Sequence, residues 1–156
     1  MNSDDTLILE PLQRDLLLPE LDSFLAAAPD AAGQDAYRAL REAVNALCVP
    51  PALANRLELV TELLLTSGKA RRMHGPAADH ALWALFQKTP RGRLLRDSIT
   101  TLNSALKQLE GQALELVAVA VRAPGAYSIT LKAAGLQLVA RFDAAGARLE
   151  SADIGG

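Results

Sequence analysis

Aromatic side chains and cysteine are scarce in this chain. Six of the 156 residues are aromatic, which argues against a surface that stacks the bases of single-stranded nucleic acid, because that mode needs exposed rings. Cysteine occurs once, at Cys48. A lone thiol excludes an internal disulfide framework and suits a reducing compartment. Long apolar runs are missing too: no stretch approaches the ~20 residues a membrane span requires. The opening MNSDDTLILEPLQRD carries acids where a secretory leader needs bases, and its apolar run breaks at Glu10 and Pro11. These features lead us to expect a soluble cytoplasmic protein. Catalytic motifs are likewise absent. There is no glycine-rich phosphate loop after a strand, no serine elbow, no H-E-x-x-H and no acidic calcium loop. Ser67-Gly68-Lys69 follows a helical pattern and lacks the first glycine of a phosphate loop. No catalytic residue, cofactor or metal is therefore assigned, and an enzyme is the less favoured class.

What the chain does contain is alanine and leucine, together more than a third of its residues. Both favour helix. The length suits one domain over 1–156, able to bury roughly 70% of its unfolded surface. Charge is sorted by position. Residues 1–68 hold eleven acidic and four basic side chains, whereas residues 69–96 hold seven basic ones against Asp79 alone. Residues 97–156 are nearly balanced, and the net charge is −2. A near-neutral chain with one basic segment has a local place where an anion or acidic surface could dock.

Periodicity divides the chain. Residues 1–11 read as an irregular start, with Leu7 and Leu9 able to dock. Leu12, Leu16, Leu17, Leu21, Phe24 and Leu25 keep helical spacing, with a break expected at Pro19. Residues 29–33 read as a connector, and a second helix is expected over Asp35 to Leu47, ended by Val49-Pro50-Pro51. Pro51 suits the first turn of a third helix, whose stripe is Leu53, Leu57, Val60 and Leu64, widened by Leu59 and Leu63. Lys69 to Gly75 reads as a basic connector. A fourth helix opens at Gly75-Pro76 and buries Ala78, Leu82, Leu85 and Phe86. Thr89-Pro90 caps a fifth, with Leu95, Ile99, Leu102, Leu106 and Leu109 as its core face, stopping at Gly111.

Beyond Gly111 the period becomes two. Residues 113–122, 127–132, 136–142 and 147–153 read as strands separated by short turns, an antiparallel meander with no room for crossover helices. The expected architecture is α+β: about five helices over 1–110, then a three- to four-stranded antiparallel β-meander over 111–156. The first strand is apolar on both sides, so it is expected to be central. Its edge or its valine face offers a route to a homodimer.

Lys69, Arg71, Arg72, Arg91, Arg93 and Arg96 form the candidate anion- or partner-binding set. Arginines at a helix start oppose its dipole, so an external anion meeting the free N–H groups there, with Gly92 permitting close approach, would reconcile them. Internal pairing with the acidic first half is the competing explanation and is weighed ahead. A helix-turn-helix made by the fourth and fifth helices across a Lys88-Thr89 link would offer the same arginines to DNA, though the negative net charge disfavours nucleic acid. Trp83, Phe86, Tyr127 and Phe142 are candidates to line a pocket between helices and sheet. His74, Asp79 and His80 lack metal-ligand spacing. Cys48 is expected to be a small buried hydrophobe, and Asp15, Glu20 and Asp22 a wet helix face. The expected function is a small non-catalytic interaction protein, an adaptor recognising an acidic protein surface or anionic ligand, with no membrane partner.

Overall fold

A computed structural model of the chain describes residues 6–28 and 30–154. Its contacts divide into two units, Met1–Arg93 and Leu94–Gly156. Residues 1–5 of the expected irregular start, and Pro29 of the expected connector, lie outside the described residues.

The first unit opens with strand β1 (Leu7–Ile8) and helix α1 (Pro11–Ala27). Pro19 does not break α1. Pro19 and Asp15, whose carbonyl loses its helical partner, are both exposed, so water satisfies the orphaned acceptor. Gln13 is fully buried. Its Oε1 accepts from the Glu10 N–H at 2.8 Å and its Nε2 donates to the Ala81 carbonyl at 2.9 Å. Helix α2 (Ala31–Asn45) starts earlier than expected because Asp30 caps it, accepting from the Gly33 N–H at 2.7 Å. The α2 end is held by Leu47 at φ 58°, a left-handed position more usual for glycine, while its side chain packs against the core.

Strand β2 (Cys48–Val49) pairs antiparallel with β1, Leu7 facing Val49. Helix α3 (Pro51–Thr66) follows. Its core face is Ala54, Leu57, Val60, Thr61 and Leu64. The expected widening by Leu59 and Leu63 fails, since both are more than half exposed; Ala54 and Thr61 supply the extra width. Gly68, at φ 63°, turns the chain directly into a short helix α4 (Lys69–His74), where a connector was expected. Helix α5 (Pro76–Phe86) buries Ala78, Leu82, Leu85 and Phe86, as its periodicity predicts. One core joins Leu17 and Leu21 of α1, Leu40 and Val44 of α2, Leu57 and Val60 of α3, and Leu82 and Leu85 of α5.

Helix α6 (Pro90–Leu106) begins in the first unit and continues into the second. The link from α5 is three residues, 87–89, one longer than expected. A 3-10 turn, Lys107–Leu109, extends α6 toward β3 (Leu116–Ala123), β4 (Ala126–Ala133), β5 (Leu136–Asp143) and β6 (Gly146–Ile154). These strands form one antiparallel sheet in the order β3-β4-β5-β6. The fold class is thus α+β, with six helices before a four-stranded meander among the described residues.

Register assigns the faces. Val117, Val119 and Val121 pair with Leu131, Ile129 and Tyr127, which pair in turn with Leu138, Ala140 and Phe142. Ala105 and Leu109 pack on this face against Ala133 and Leu138. On α6, Ile99 is 42% exposed, and Ala105 instead of Ile99 serves the core stripe. The opposite face carries Ser128, Thr130, Lys132, Arg141 and Arg148. The β3 strand is not central: it is the edge, and all eight of its residues are exposed. Apolar character on both sides marks an uncovered edge here, not a strand buried between layers.

Candidate functional site

The start of α6 is where internal pairing with the acidic half was weighed ahead of an external anion. Thr89 is fully buried. Its hydroxyl donates to the Phe86 carbonyl at 2.7 Å, and its Oγ1 accepts from the Gly92 N–H at 3.2 Å. The Arg91 N–H donates to Glu58 Oε2 at 2.7 Å, while the Arg91 guanidinium pairs with Glu62 Oε2 at 2.7 Å. Glu58 and Glu62 lie one turn apart on α3. The chain's own carboxylates therefore occupy the place beside the helix dipole that an anion would take. Gly92 serves packing instead of close approach by a ligand: a methyl group there would overlap the Phe86 carbonyl oxygen and crowd Gln87 Cα.

The rest of the basic stretch is divided. Lys69 Nζ pairs with Glu20 Oε1 on α1 at 2.5 Å. Arg72 donates to the Ser67 carbonyl at 2.7 Å, closing the α3–α4 corner. Arg71, Arg72, Met73 and His74 are exposed in succession on α4. Beside them lies a cavity of about 150 Å³ bordered by Leu16, Leu64, Met73 and His74. Arg93 and Lys88 border another, about 210 Å³, with Leu7, Ala54 and Pro90. Arg96 lies in the second unit, 3.8 Å from Asp97; both are exposed, so that pair contributes little. Elsewhere in the acidic half Arg38 meets Asp35, and Arg41 meets Asp22 at 2.5 Å. Hydrogen bonding to Asp22 raises the Arg41 guanidinium further above its ordinary value.

The four proposed pocket aromatics split between the units. Trp83 and Phe86 stack with ring centroids 5.6 Å apart; Phe86 is buried in the first unit, and Trp83 is 48% exposed. Tyr127 and Phe142 are cross-strand neighbours in the second. His74 and His80 are exposed, and among the described residues no group of three or more His, Cys, Asp or Glu side chains is placed to hold a metal. Cys48 is exposed, not a buried hydrophobe, because β2 turns Val49 inward and Cys48 outward. No described helix is long and apolar enough to cross a membrane.

The second unit holds two features the sequence reading did not single out. A groove of about 580 Å³ runs between the α6 end and the sheet, lined by Leu106, Leu109, Leu114 and Leu131 with Lys107 and Glu110. On the polar face, Asp143 accepts from Arg148 at 2.9 Å and from Arg141 at 3.1 Å. Arg122 reaches Glu150 at 3.3 Å. The Arg148 hydrogen bond, helped by the Ala145 N–H, holds the Asp143 carboxyl below the usual carboxylate range. Periodicity gave no signal for Arg148–Asp143 or Arg122–Glu150, since these join residues of different strands, whereas Arg141 and Asp143 share β5.

In comparison with known proteins, no family model matches the chain, and neither a curated protein nor a solved structure matches it.

Proposed function

We propose that this chain is a small non-catalytic interaction protein of the cytoplasm, homodimeric through its sheet, that recognises an acidic protein surface. One observation carries the reading: α4 exposes Arg71, Arg72, Met73 and His74 in succession. Among the described residues no carboxylate is paired with Arg71 or Arg72, while Lys69 and Arg91 of the same basic stretch are held by Glu20 and Glu62. The binding set accordingly narrows to Arg71 and Arg72. Two guanidinium groups supply charge-assisted hydrogen bonds to carboxylates. Met73, 64% exposed, supplies an adaptable apolar contact between them and the neighbouring cavity.

Poly-L-glutamate serves as the probe for an acidic surface and inorganic phosphate for a small anion. Calorimetric titration of the full chain at low ionic strength should detect the polyanion, with affinity falling as added salt shortens the screening length to ~8 Å. Arg71→Glu combined with Arg72→Glu should remove that binding while leaving the helical circular dichroism unchanged. Equal binding by the double variant, or no binding of either probe at low salt, would overturn the reading.

A further inference from the structure

We infer that the occupant of the bare β3 edge is the β3 strand of a second copy, paired antiparallel about a two-fold axis through Val119. This specifies the contact within the homodimer just proposed and rests on that part of the reading.

The two sheet edges are built differently. Along its length β6 carries Arg148, Glu150 and Asp153, and charges of this kind protect an edge from unwanted pairing. Each edge strand has one register slip, beside Glu150 in β6 and beside Arg122 in β3, so charge and not the bulge distinguishes the two edges. In β3, Leu116–Ala123, Arg122 alone is charged and no proline interrupts the strand. Val117, Val119 and Val121 are 58%, 67% and 71% exposed. Among the described residues nothing pairs with the outer side of β3.

The residues of this edge fit the same strand turned around. Val117 to Val121 reads Val-Ala-Val-Ala-Val in either direction. With Val119 on the axis, Val117 faces Val121 of the copy and Ala118 faces Ala120, so every position meets an identical residue type on the same face. Branched cross-strand neighbours of this kind stabilise a sheet. Charge selects the orientation as well. An antiparallel copy brings Glu115, just before β3, to the Arg122 end of its partner strand, whereas a parallel copy would set like charges together.

Leu114 just before β3, and Leu116, Val117, Val119 and Val121 within it, are each 44–71% exposed, an apolar strip along the edge. Pairing also closes on itself. It consumes both unguarded edges and leaves a guarded β6 at each end of an eight-stranded sheet, so a dimer forms and a filament does not.

The full chain is tested by sedimentation equilibrium from about 1 to 200 μM. Val119→Lys places two ammonium groups opposite each other and should weaken association at least about tenfold. Val119 is exposed, so folding should survive, and circular dichroism checks that. Register is tested separately by Val119→Cys in a Cys48→Ser background. Directly opposed strand residues lie about 4.5–5.5 Å apart, within disulfide reach. Mild oxidation should link this variant into a covalent dimer and leave Arg148→Cys in the same background unlinked. A dimer that Val119→Lys leaves intact, and that Val119→Cys does not link, would overturn this pairing but keep the homodimer. A monomer at every concentration would overturn both, and larger assemblies would overturn closure.

Discussion

Replacing Gly92 with alanine separates the sequence's local preference from the packing found here. Inside a helix, glycine to alanine ordinarily stabilises by about 1 kcal/mol. Gly92 is buried in the first turn of α6, where a Cβ would overlap the Phe86 carbonyl oxygen and approach the Phe86 carbon and Gln87 Cα. All three are backbone atoms, so no side-chain rotation relieves the contact. Forcing an extra methyl into such a place costs about 1–3 kcal/mol. Any shift of Phe86 also disturbs two hydrogen bonds to its carbonyl, from the Thr89 N–H at 2.9 Å and the Thr89 hydroxyl at 2.7 Å. Each contributes about 0.5–1.5 kcal/mol. After subtracting the helix preference, Gly92→Ala should destabilise the first unit by about 1–5 kcal/mol. Trp83 is the chain's single tryptophan and lies on α5, so its fluorescence during urea unfolding reports on this unit. A midpoint shifted to lower urea is expected. An unchanged or raised midpoint would refute the packing role and reopen Gly92 as a ligand-approach site.

Other outcomes follow from the same geometry. Ala134→Asn should raise the stability of the second unit by about 0.5–1 kcal/mol in urea unfolding, because Ala134 and Gly135 sit at φ 49° and 77°, a turn that favours Asn-Gly. Gln13→Leu should lower the first unit's stability by about 1–3 kcal/mol, since Ala81 C=O and Glu10 N–H lose their partner in part-buried surroundings. The depressed Asp143 carboxyl stabilises the folded β5–β6 hairpin above its unfolded pKa of about 3.9, and that contribution disappears as pH falls through the lower folded value. Asp143→Asn should therefore flatten the acid limb of a stability-versus-pH curve; an unchanged limb would contradict the assignment.

The helices and the meander were legible because their signals are local. Pro51, Thr89-Pro90 and the alternation after Gly111 fix element starts through backbone chemistry that neighbouring residues cannot easily override. What was missed depends on partners distant in sequence. The β1–β2 pairing joins Leu7 to Val49 through two-residue strands, too short to carry a period. Leu47 ends α2 in a left-handed conformation without a glycine because its side chain is wanted in the core. The candidate site was half legible: the sorted charges pointed to internal pairing, but only the fold shows that Glu58 and Glu62 take Arg91 while Arg71 and Arg72 remain outward. For β3, composition described the strand correctly but not its place, because a strand buried between two layers and an exposed edge strand can share the same apolar pattern.

Hydrogen exchange along β3 tests the central claim, that a second copy completes this sheet, most directly. Backbone amides on the outer side of a free edge exchange readily, while paired ones are protected. At about 200 μM, outward amides of Val117–Val121 should exchange more slowly in the full chain than in Val119→Lys, with β6 unchanged in both. Equally fast, unprotected exchange along β3 in the two proteins would contradict it.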